Sequence, residues 1–280
     1  MEPFVEYKKE EDQPELFTIK KWMDEYPGLT AGFTSRLGGV SRAPYSSLNC
    51  GLHVNDLPED VVRNRERLAD ALGQPFEAFT YAEQVHSHEI IVVGEQDKGK
   101  GRLSRESAIQ AKDGFITNEK GIMLCAQFAD CVPLYFYDPV EGVIGLAHAG
   151  WKGTVLKISM ATISSMTHTF GSRPEHIRAA IGPSIGVCCY EVDETVASRV
   201  REVLNEMPEL EVEGVLNAKG DGKYMLNLQE LNRILIRQAG ILSSHIEVTQ
   251  LCTSCRTDKF FSHRKEGGST GRMVAWIGLT

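Results

Sequence analysis

Three residues near the middle of the chain have the types and the settings of a catalytic zinc site. They are His86, Cys131 and His148, and each stands where an apolar run gives way to polar residues or glycine, the usual place for site residues at strand ends. One thiolate and two imidazoles suit zinc, and three protein ligands leave a fourth position for water or substrate. The alternative is structural, with Cys131 an ordinary buried thiol and the histidines hydrogen-bonded core residues.

Charged side chains near these ligands offer further chemistry. Asp130 directly precedes Cys131, so it is a candidate proton carrier or a carboxylate that orients a ligand, although a turn aspartate would look the same. Basic residues also lie at predicted turns and helix starts, namely Arg36, Arg65, Lys152 and Arg264. Most lone arginines are solvated surface charges. Arg36, however, stands between a predicted strand and a Gly-Gly turn of an acidic chain, which favours an anion site such as one for phosphate.

One His-x-His pair, His86 and His88, is of a kind found in copper proteins. A multi-copper oxidase needs several such pairs and a cysteine flanked by histidines. The chain has eight histidines in all, and only these two form such a pair. The sequence therefore disfavours copper.

Two further cysteine pairs are candidates for a structural zinc. Cys252 and Cys255 form a Cys-x-x-Cys motif, and Cys188 and Cys189 are adjacent. Adjacent residues of a strand point to opposite faces, so the sequence disfavours a site that needs four thiolates around one ion. It also disfavours a redox Cys-x-x-Cys, because no helix of thioredoxin type clearly follows the motif.

Composition restricts the partners and the compartment. A formal net charge of -8 over 280 residues argues against nucleic acid as the main partner. The first residues lack the pattern of a signal peptide, and no apolar run reaches about 18 residues, so we expect no membrane partner and a cytoplasmic location. Seven cysteines in a reducing compartment favour free thiols or metal ligands over disulfides.

Strand and helix patterns interleave along the whole chain, which predicts one α/β domain with mixed sheets over residues 1–280. Alternating or continuous apolar runs predict strands at residues 31–36, 79–93, 122–128, 132–137, 143–147, 177–181, 246–250 and 273–277. Helical spacing predicts helices at residues 59–72, 151–171 and 193–206, and another that begins at Asn227. Residues 95–107, rich in glycine and lysine, read as a mobile loop that serves as a lid.

The motifs that contain these residues resemble those of the YfiH family, also called the laccase-domain or polyphenol oxidoreductase family. The resemblance covers nearly the whole chain. It rests on Thr34-Ser35-Arg36-Leu37-Gly38-Gly39-Val40-Ser41, Ser47-Leu48-Asn49, Asn64-Arg65, Gln84-Val85-His86, Asp113-Gly114, Ala129-Asp130-Cys131-Val132-Pro133, His148-Ala149-Gly150-Trp151-Lys152-Gly153, Ile181-Gly182-Pro183 with Tyr190-Glu191-Val192, and Phe261-Ser262 with Gly271-Arg272.

This resemblance implies a fold, a metal and an activity. The fold is a layered α/β/β/α sandwich with mixed sheets, shared with bacterial deamidating toxins of the Cys-His type. The metal is zinc, held by His86, Cys131 and His148. The activity is that of a purine nucleoside phosphorylase acting on adenosine, inosine and, as a further candidate, methylthioadenosine, with adenosine deaminase activity at the same site. Purine nucleosides and phosphate are then the partners.

On this hypothesis zinc lowers the pKa of a bound water toward about 7, and that water attacks C6 of adenosine. Asp130, Cys131 and His148 are the predicted catalytic residues. The predicted substrate and phosphate contacts are Arg36, Asn49, Arg65, Lys152 and Arg264, chosen for their charge or motif position.

Three alternatives remain open from the sequence. The first is a metal-independent hydrolase or deamidase in which Cys131 is the nucleophile and His148 its base. The second is a copper-dependent polyphenol oxidoreductase, as one of the family's names implies. The third is a binding protein without catalysis, in which the cluster is structural. Composition fits a monomer and a homodimer equally.

Overall fold

The computed structural model describes residues 2–8, 10, 12–207 and 213–280. The strands in these ranges are β1 (Phe4–Tyr7), β2 (Leu16–Ile19), β3 (Leu29–Thr34), β4 (Phe79–Tyr81), β5 (Ile90–Val92), β6 (Gly114–Thr117), β7 (Met123–Phe128), β8 (Val132–Asp138), β9 (Val143–Ala149), β10 (Arg178–Ile181), β11 (Glu191–Asp193), β12 (Leu216–Gly220), β13 (Lys223–Leu226), β14 (Ile246–Val248) and β15 (Met273–Leu279). The α-helices are α1 (Lys20–Glu25), α2 (Pro58–Leu72), α3 (Trp151–Val155), α4 (Ile158–Phe170), α5 (Glu194–Leu204) and α6 (Leu228–Gln238).

The strands form two six-stranded sheets and one small sheet. The first sheet has the order β1-β2-β3-β15-β7-β4, and the second has the order β14-β10-β8-β9-β6-β5. Both are mixed, because the pairs β4/β7, β5/β6 and β10/β14 are parallel within otherwise antiparallel sheets. A three-stranded sheet, β11-β13-β12, lies apart from them in the strand order.

Side chains on both faces of the central strands are buried, which explains why these strands appear as nearly continuous apolar runs. On β15, Ala275 and Ile277 face the core between the two large sheets, while Val274 and Trp276 face a separate core with α2. On β8, Tyr135 faces the core between the sheets, and its neighbours pack toward α4, α5 and α6. The order of layers is therefore helix, sheet, sheet, helices, which confirms the predicted α/β/β/α sandwich.

The helices predicted at residues 59–72, at residues 193–206 and from Asn227 form as α2, α5 and α6, whereas α1 was not predicted. Helix α2 ends at Gly73, whose φ of 64° supplies the left-handed cap that stops a helix. The side chains of Asp193 and Asn227 cap the first turns of α5 and α6. The single helix predicted for residues 151–171 is wrong, because Lys157 adopts a left-handed φ of 59° and divides it into α3 and α4.

The segment predicted to be a mobile lid contributes Gly101 and Arg105 to the wall of a cavity. It contains a short turn of 3-10 helix at Glu95–Asp97, and the guanidinium of Arg65 donates hydrogen bonds to the carbonyls of Gly101 and Arg102, at 2.6 and 3.1 Å. These bonds join the segment to α2. The sheet formed by β11, β12 and β13 was not anticipated as a unit.

Within the part of the chain that the structure describes, every helix is too short or too polar to cross a lipid bilayer.

A buried hydrogen bond joins the two large sheets. The hydroxyl of Tyr135, on β8, donates to the carbonyl of Gly32, on β3, at 2.8 Å, and Tyr135 has no exposed surface. Tyr135→Phe keeps the ring and removes the donor. We expect the free energy of unfolding in urea to fall by about 1–3 kcal/mol, the cost of losing one partner of a buried polar pair.

The matched control is Tyr7→Phe, the same change at a side chain that is 44% exposed, which should alter stability by less than about 0.5 kcal/mol. Equal effects of the two changes would show that the hydrogen bond between the sheets contributes nothing to stability.

Candidate metal centre between two cavities

The structure brings the three predicted metal ligands together. One nitrogen or sulfur atom from each of His86, Cys131 and His148 lies within 4.8 Å of the others. Cys131 Sγ is 3.9 Å from His86 Nε2, and the two imidazole rings meet edge to face with their centroids 4.8 Å apart. His88 does not belong to this cluster.

Each ligand comes from a different part of the sandwich. His86 lies in the connection between β4 of the first sheet and β5 of the second. Cys131 closes the short connection between β7 and β8, which also passes from one sheet to the other. His148 is on β9, one residue before its end. The site therefore forms where the chain crosses between the sheets.

The carboxylate of Asp113, directly before β6, organises two of the ligand segments. It accepts a hydrogen bond from Nδ1 of His148 at 2.8 Å, which leaves Nε2 as the ligand atom of that ring. It also accepts the backbone N–H groups of Val85, His86 and Ser87, at 3.1, 3.0 and 2.8 Å. A carboxylate that holds a ligand histidine in this way is the common outer partner in zinc sites.

The close approach of the ligands constrains the backbone. His86 has a φ of 61° and Asp130 a φ of 86°, a left-handed conformation that non-glycine residues adopt at an energetic cost. At Gly150 an added Cβ would lie 3.0 Å from Cys131 Sγ and 3.0 Å from His86 Cδ2. A side chain at this position would therefore push against both ligands.

The charges of the cluster favour ionised Cys131. Burial disfavours its thiolate, but the charge of His148 and the contacts with both histidines outweigh burial and lower the pKa of the thiol to about 6. Burial also disfavours a charged His148, yet Cys131 and Asp113 raise the pKa of its ring to about 9. Burial opposes ionisation of Asp113 as well, while bonds from His148 and Ser87 lower the pKa of its carboxyl to about 2. At neutral pH Cys131 is therefore a thiolate, the form that binds metal or attacks a substrate.

The donor set fits a zinc ion. Zinc bonds of about 2.3 Å to sulfur and about 2.0 Å to nitrogen place tetrahedral ligand atoms roughly 3.5 Å apart. The sulfur-to-nitrogen distance of 3.9 Å between Cys131 and His86 reaches this value with small side-chain shifts. Since three ligands come from the protein, one position would stay open.

Two cavities meet at this cluster, and His86, Cys131 and His263 belong to the walls of both. We call them cavity A, of about 340 Å³, and cavity B, of about 300 Å³. Both are at the lower end of the volumes usual for small-molecule sites, roughly 300–1,000 Å³. A molecule in either cavity would lie beside the same ligands.

Cavity A is rich in positive charge. Arg65, Arg105 and Arg272 line it together with His53. Burial, followed by the charges of Arg272, Arg105 and Arg65, lowers the pKa of His53 to about 4. The carboxylate of Glu83 also lines the cavity and pairs with Arg105. Because three guanidinium groups outnumber this one carboxylate and His53 is neutral, the environment still suits an anion.

Cavity B has an aromatic and apolar wall. Trp151, Tyr190, Ile185 and Leu228 line it, and Lys152 and Arg264 contribute charge. The Arg264 guanidinium lies 5.2 Å from the ring centroid of Tyr190 and donates to the carbonyl of Glu191 at 2.6 Å. Two of the predicted substrate residues, Lys152 and Arg264, therefore share this cavity with surfaces suited to a flat ring.

Arg36 and Asn49 lie outside both linings, contrary to the direct contacts predicted for them. The Arg36 guanidinium pairs with Glu266 at 2.9 Å and donates to the carbonyl of Thr257 at 3.0 Å. The amide oxygen of Asn49 accepts the backbone N–H of Arg272 at 2.9 Å. Arg36 thus holds the loop that carries His263, and Asn49 holds an arginine of cavity A.

Two other predicted residues line a cavity, but their polar atoms are already hydrogen-bonded within the protein. Arg65 donates to three backbone carbonyls, including that of Cys50, and lies 4.0 Å from the ring centroid of Tyr81. Asp130 accepts bonds from Thr253 Oγ1 at 2.6 Å, Ser262 Oγ at 3.1 Å and the Arg264 N–H at 2.7 Å. Because both of its oxygens are engaged, the geometry favours a positioning role for Asp130 over that of a proton carrier.

Sequence reasoning missed several functional candidates. Asp113 was noticed only inside a family motif, because an Asp-Gly pair reads as a turn. Arg105, Arg272 and His263 carried no spacing signal, although Arg272 directly precedes the predicted strand that became β15.

Replacement of the central carboxylate tests its role in metal binding. Asp113→Asn offers N–H groups where five donors now converge. We expect a metal affinity about 10–100-fold lower, the usual cost of losing such an outer partner, measured by competition with a chromophoric zinc chelator.

The control Glu89→Gln makes the same chemical change on an exposed neighbouring side chain that pairs with Lys112. It should bind metal like the unaltered protein. Unchanged affinity in Asp113→Asn would contradict the role assigned to that carboxylate.

Comparisons with known proteins agree with the fold and the motifs. A family model described as multi-copper polyphenol oxidoreductase laccase matches residues 30–280. The purine nucleoside phosphorylase YlmD of Bacillus subtilis is 42% identical over 95% of this chain and 95% of its own length.

Solved structures show the same architecture. YlmD from Geobacillus stearothermophilus superposes with a TM-score of 0.91 at 40% identity, over 100% of this chain and 99% of that one. A Bacillus licheniformis protein described as hypothetical protein YfiH gives a TM-score of 0.89 at 42% identity, over 95% of this chain and 96% of that one. The chain therefore belongs to the laccase-type polyphenol oxidoreductase family, the YfiH family that its motifs resemble.

Proposed function

We propose that this protein is a zinc-dependent purine nucleoside phosphorylase. The observation that carries the proposal is the cluster of His86, Cys131 and His148 at the junction of two cavities, one cationic and one aromatic. Phosphorolysis needs two different substrates beside one reacting centre, and this arrangement supplies a place for each. The name of the Bacillus subtilis relative, 42% identical, supports the same activity.

The chemistry of each wall assigns the substrates. Phosphate binds in cavity A, beside the guanidinium groups of Arg105 and Arg272 and neutral His53. Arg105 then exchanges or shares its present partner Glu83, and Arg272 stays oriented by the carbonyls of Thr270 and Gly271. The purine nucleoside binds in cavity B. Its base stacks on Tyr190, and Lys152 and Arg264 lie around its polar groups. Base-on-aromatic stacking contributes about 1–3 kcal/mol in other proteins.

In the reaction a phosphate oxygen bonds to C1′ of the ribose as the bond from C1′ to the purine nitrogen breaks. The products are ribose 1-phosphate and the purine, which takes up a proton. This proton comes from the hydrogen phosphate that attacks C1′. His263 faces both cavities, so we assign it the transfer of the proton from phosphate to the purine. The arginines hold phosphate in line with the bond that breaks, and a zinc ion on the cluster would supply a Lewis acid and a more acidic water.

Adenosine deamination is proposed as a second activity of the same cluster, with water as the co-substrate and ammonia as a product. Methylthioadenosine is proposed as a further phosphorolysis substrate. Copper chemistry is disfavoured by the donor set: one His-x-His pair and eight histidines supply too few imidazoles for several copper ions, whatever the family's name implies.

A second candidate function is a metal-independent hydrolase. It is favoured by one observation, the low thiol pKa of Cys131, about 6, beside His148. In that case a chelator leaves turnover intact and alkylation of Cys131 stops it. In the zinc enzyme the chelator alone stops turnover and added zinc restores it.

We further propose that residues 1–280 act as one catalytic domain in the cytoplasm, as a monomer or a homodimer. Both large sheets deliver ligands to the one cluster, which supports a single unit.

Chromatography of the products tests the proposed activity. Zinc-loaded protein with adenosine or inosine should release adenine or hypoxanthine with ribose 1-phosphate only when phosphate is present. Inosine formed from adenosine without phosphate would report the deaminase.

Cys131→Ala should abolish both reactions, whereas Cys125→Ala, which changes a buried core cysteine, should keep them. A folded, zinc-loaded protein that releases no base from either nucleoside contradicts the proposal.

The assignment of the cavities predicts a separation of the two Michaelis constants. Arg105→Gln should raise KM for phosphate about tenfold, equivalent to about 1.4 kcal/mol, with little change in KM for inosine. Tyr190→Ala should raise KM for inosine by a similar factor or more, and Tyr190→Phe, which keeps the ring, should not. If both variants changed the same KM, the two cavities would not hold different substrates.

A further inference from the structure

A second cluster of metal-ligating side chains lies outside the metal centre. The sulfur atoms of Cys188, Cys189, Cys252 and Cys255 all lie within 4.8 Å of one another. Cys255 Sγ is 3.5 Å from Cys188 Sγ and 3.4 Å from Cys189 Sγ. No disulfide joins these cysteines in the structure.

The local backbone explains how adjacent cysteines converge. Cys188 and Cys189 lie in a turn at residues 187–189, so the opposite orientations expected for a strand do not apply. Cys252 and Cys255 lie at the two ends of a second turn. The expectation that the first pair splays apart is therefore wrong.

The geometry of the four sulfurs matches a mononuclear tetrahedral site. Zinc-sulfur bonds of about 2.3 Å place the sulfurs of a four-thiolate site about 3.8 Å apart, inside the range from 3.4 to 4.8 Å found here. The backbone N–H of Gly186 donates to Cys252 Sγ at 3.2 Å, a bond that stabilises negative charge on a ligand sulfur. A Cβ on Gly186 would lie 3.3 Å from Cys188 Sγ, so the turn is packed closely around the sulfurs.

We propose that Cys188, Cys189, Cys252 and Cys255 hold a second zinc ion in a closed, structural site. Four soft thiolates in this geometry select zinc over the hard cations. With every position occupied by protein, the ion has no place for water or substrate and would not take part in catalysis.

The site would join two segments that form the wall of cavity B. The first segment also carries Ile185 and Tyr190, which line that cavity. The second carries Thr253, which donates to Asp130 and leads to the loop with His263. Only a few hydrogen bonds hold the segments together, such as the bond from the Thr253 N–H to the Ser184 carbonyl at 3.0 Å. An ion between them would fix the distance from Tyr190 to the metal centre.

Metal analysis of protein purified without chelators tests the proposal independently of any activity. We expect two zinc ions per chain in the unaltered protein and in Cys125→Ala. One should remain in Cys131→Ala, and one in the double variant Cys188→Ser/Cys255→Ser, which changes the two exposed members of the cluster. Cobalt in place of zinc should give an intense thiolate-to-metal absorption that persists in Cys131→Ala and falls, in the double variant, to the weak contribution of the single Cys131 thiolate.

Three results would overturn the proposal. The first is Cys131→Ala protein that contains no metal and also fails to bind cobalt. The second is iron instead of zinc at the four sulfurs. The third is a thiol titration in denaturant that finds two thiols fewer than the seven of the sequence, which would indicate a disulfide. Should the double variant not fold, hydrogen exchange of Cys131→Ala, which keeps all four cysteines of the cluster, decides. Removing the second ion from Cys131→Ala should then speed exchange in residues 184–190 and 251–264, and unchanged exchange would count against a structural ion.

Discussion

The site depends on the buried carboxylate of Asp113. It receives the His148 ring and three consecutive backbone N–H groups that begin at Val85. A left-handed residue such as His86 costs of the order of 1–3 kcal/mol, and each buried N–H left without a partner would cost a similar amount. By satisfying these groups together, one side chain holds two metal ligands from separate segments in one orientation.

The sandwich explains why the ligands meet at this place. The chain crosses from the first sheet to the second beside Cys131 and again in the segment that contains His86. Since strand β9 delivers His148 to the same end, the ligands are carried by rigid elements or by short connections between them. Several charged residues fix the walls of the cavities without facing a substrate. Arg36 donates a hydrogen bond to the carbonyl of Thr257 at one end of the loop, and Asp130 accepts the backbone N–H of Arg264 at the other end.

Residue patterns predicted a mixed α/β domain and the candidate ligands, whereas the α/β/β/α layering followed only from the family resemblance. Strands buried on both faces leave continuous apolar runs, and zinc ligands are few in type, so both could be recognised. The role of Asp113 could not be recognised from the sequence, because its partners come from segments distant in the chain and from the His148 ring. The break at Lys157 was equally hidden, since its left-handed φ occurs without glycine or proline. Cys188 and Cys189 were misjudged because a turn was taken for a strand.

The central claim is that a zinc ion binds His86, Cys131 and His148 between the two cavities. Diffraction data from crystals of the zinc-bearing protein, collected on both sides of the zinc absorption edge, test it most directly. The account predicts an anomalous difference peak within bonding distance of Cys131 Sγ and of one nitrogen from each histidine, with the fourth position facing the cavities. An empty cluster in protein that turns over nucleosides, or a peak that persists on the low-energy side of the zinc edge, as copper would give, would contradict it.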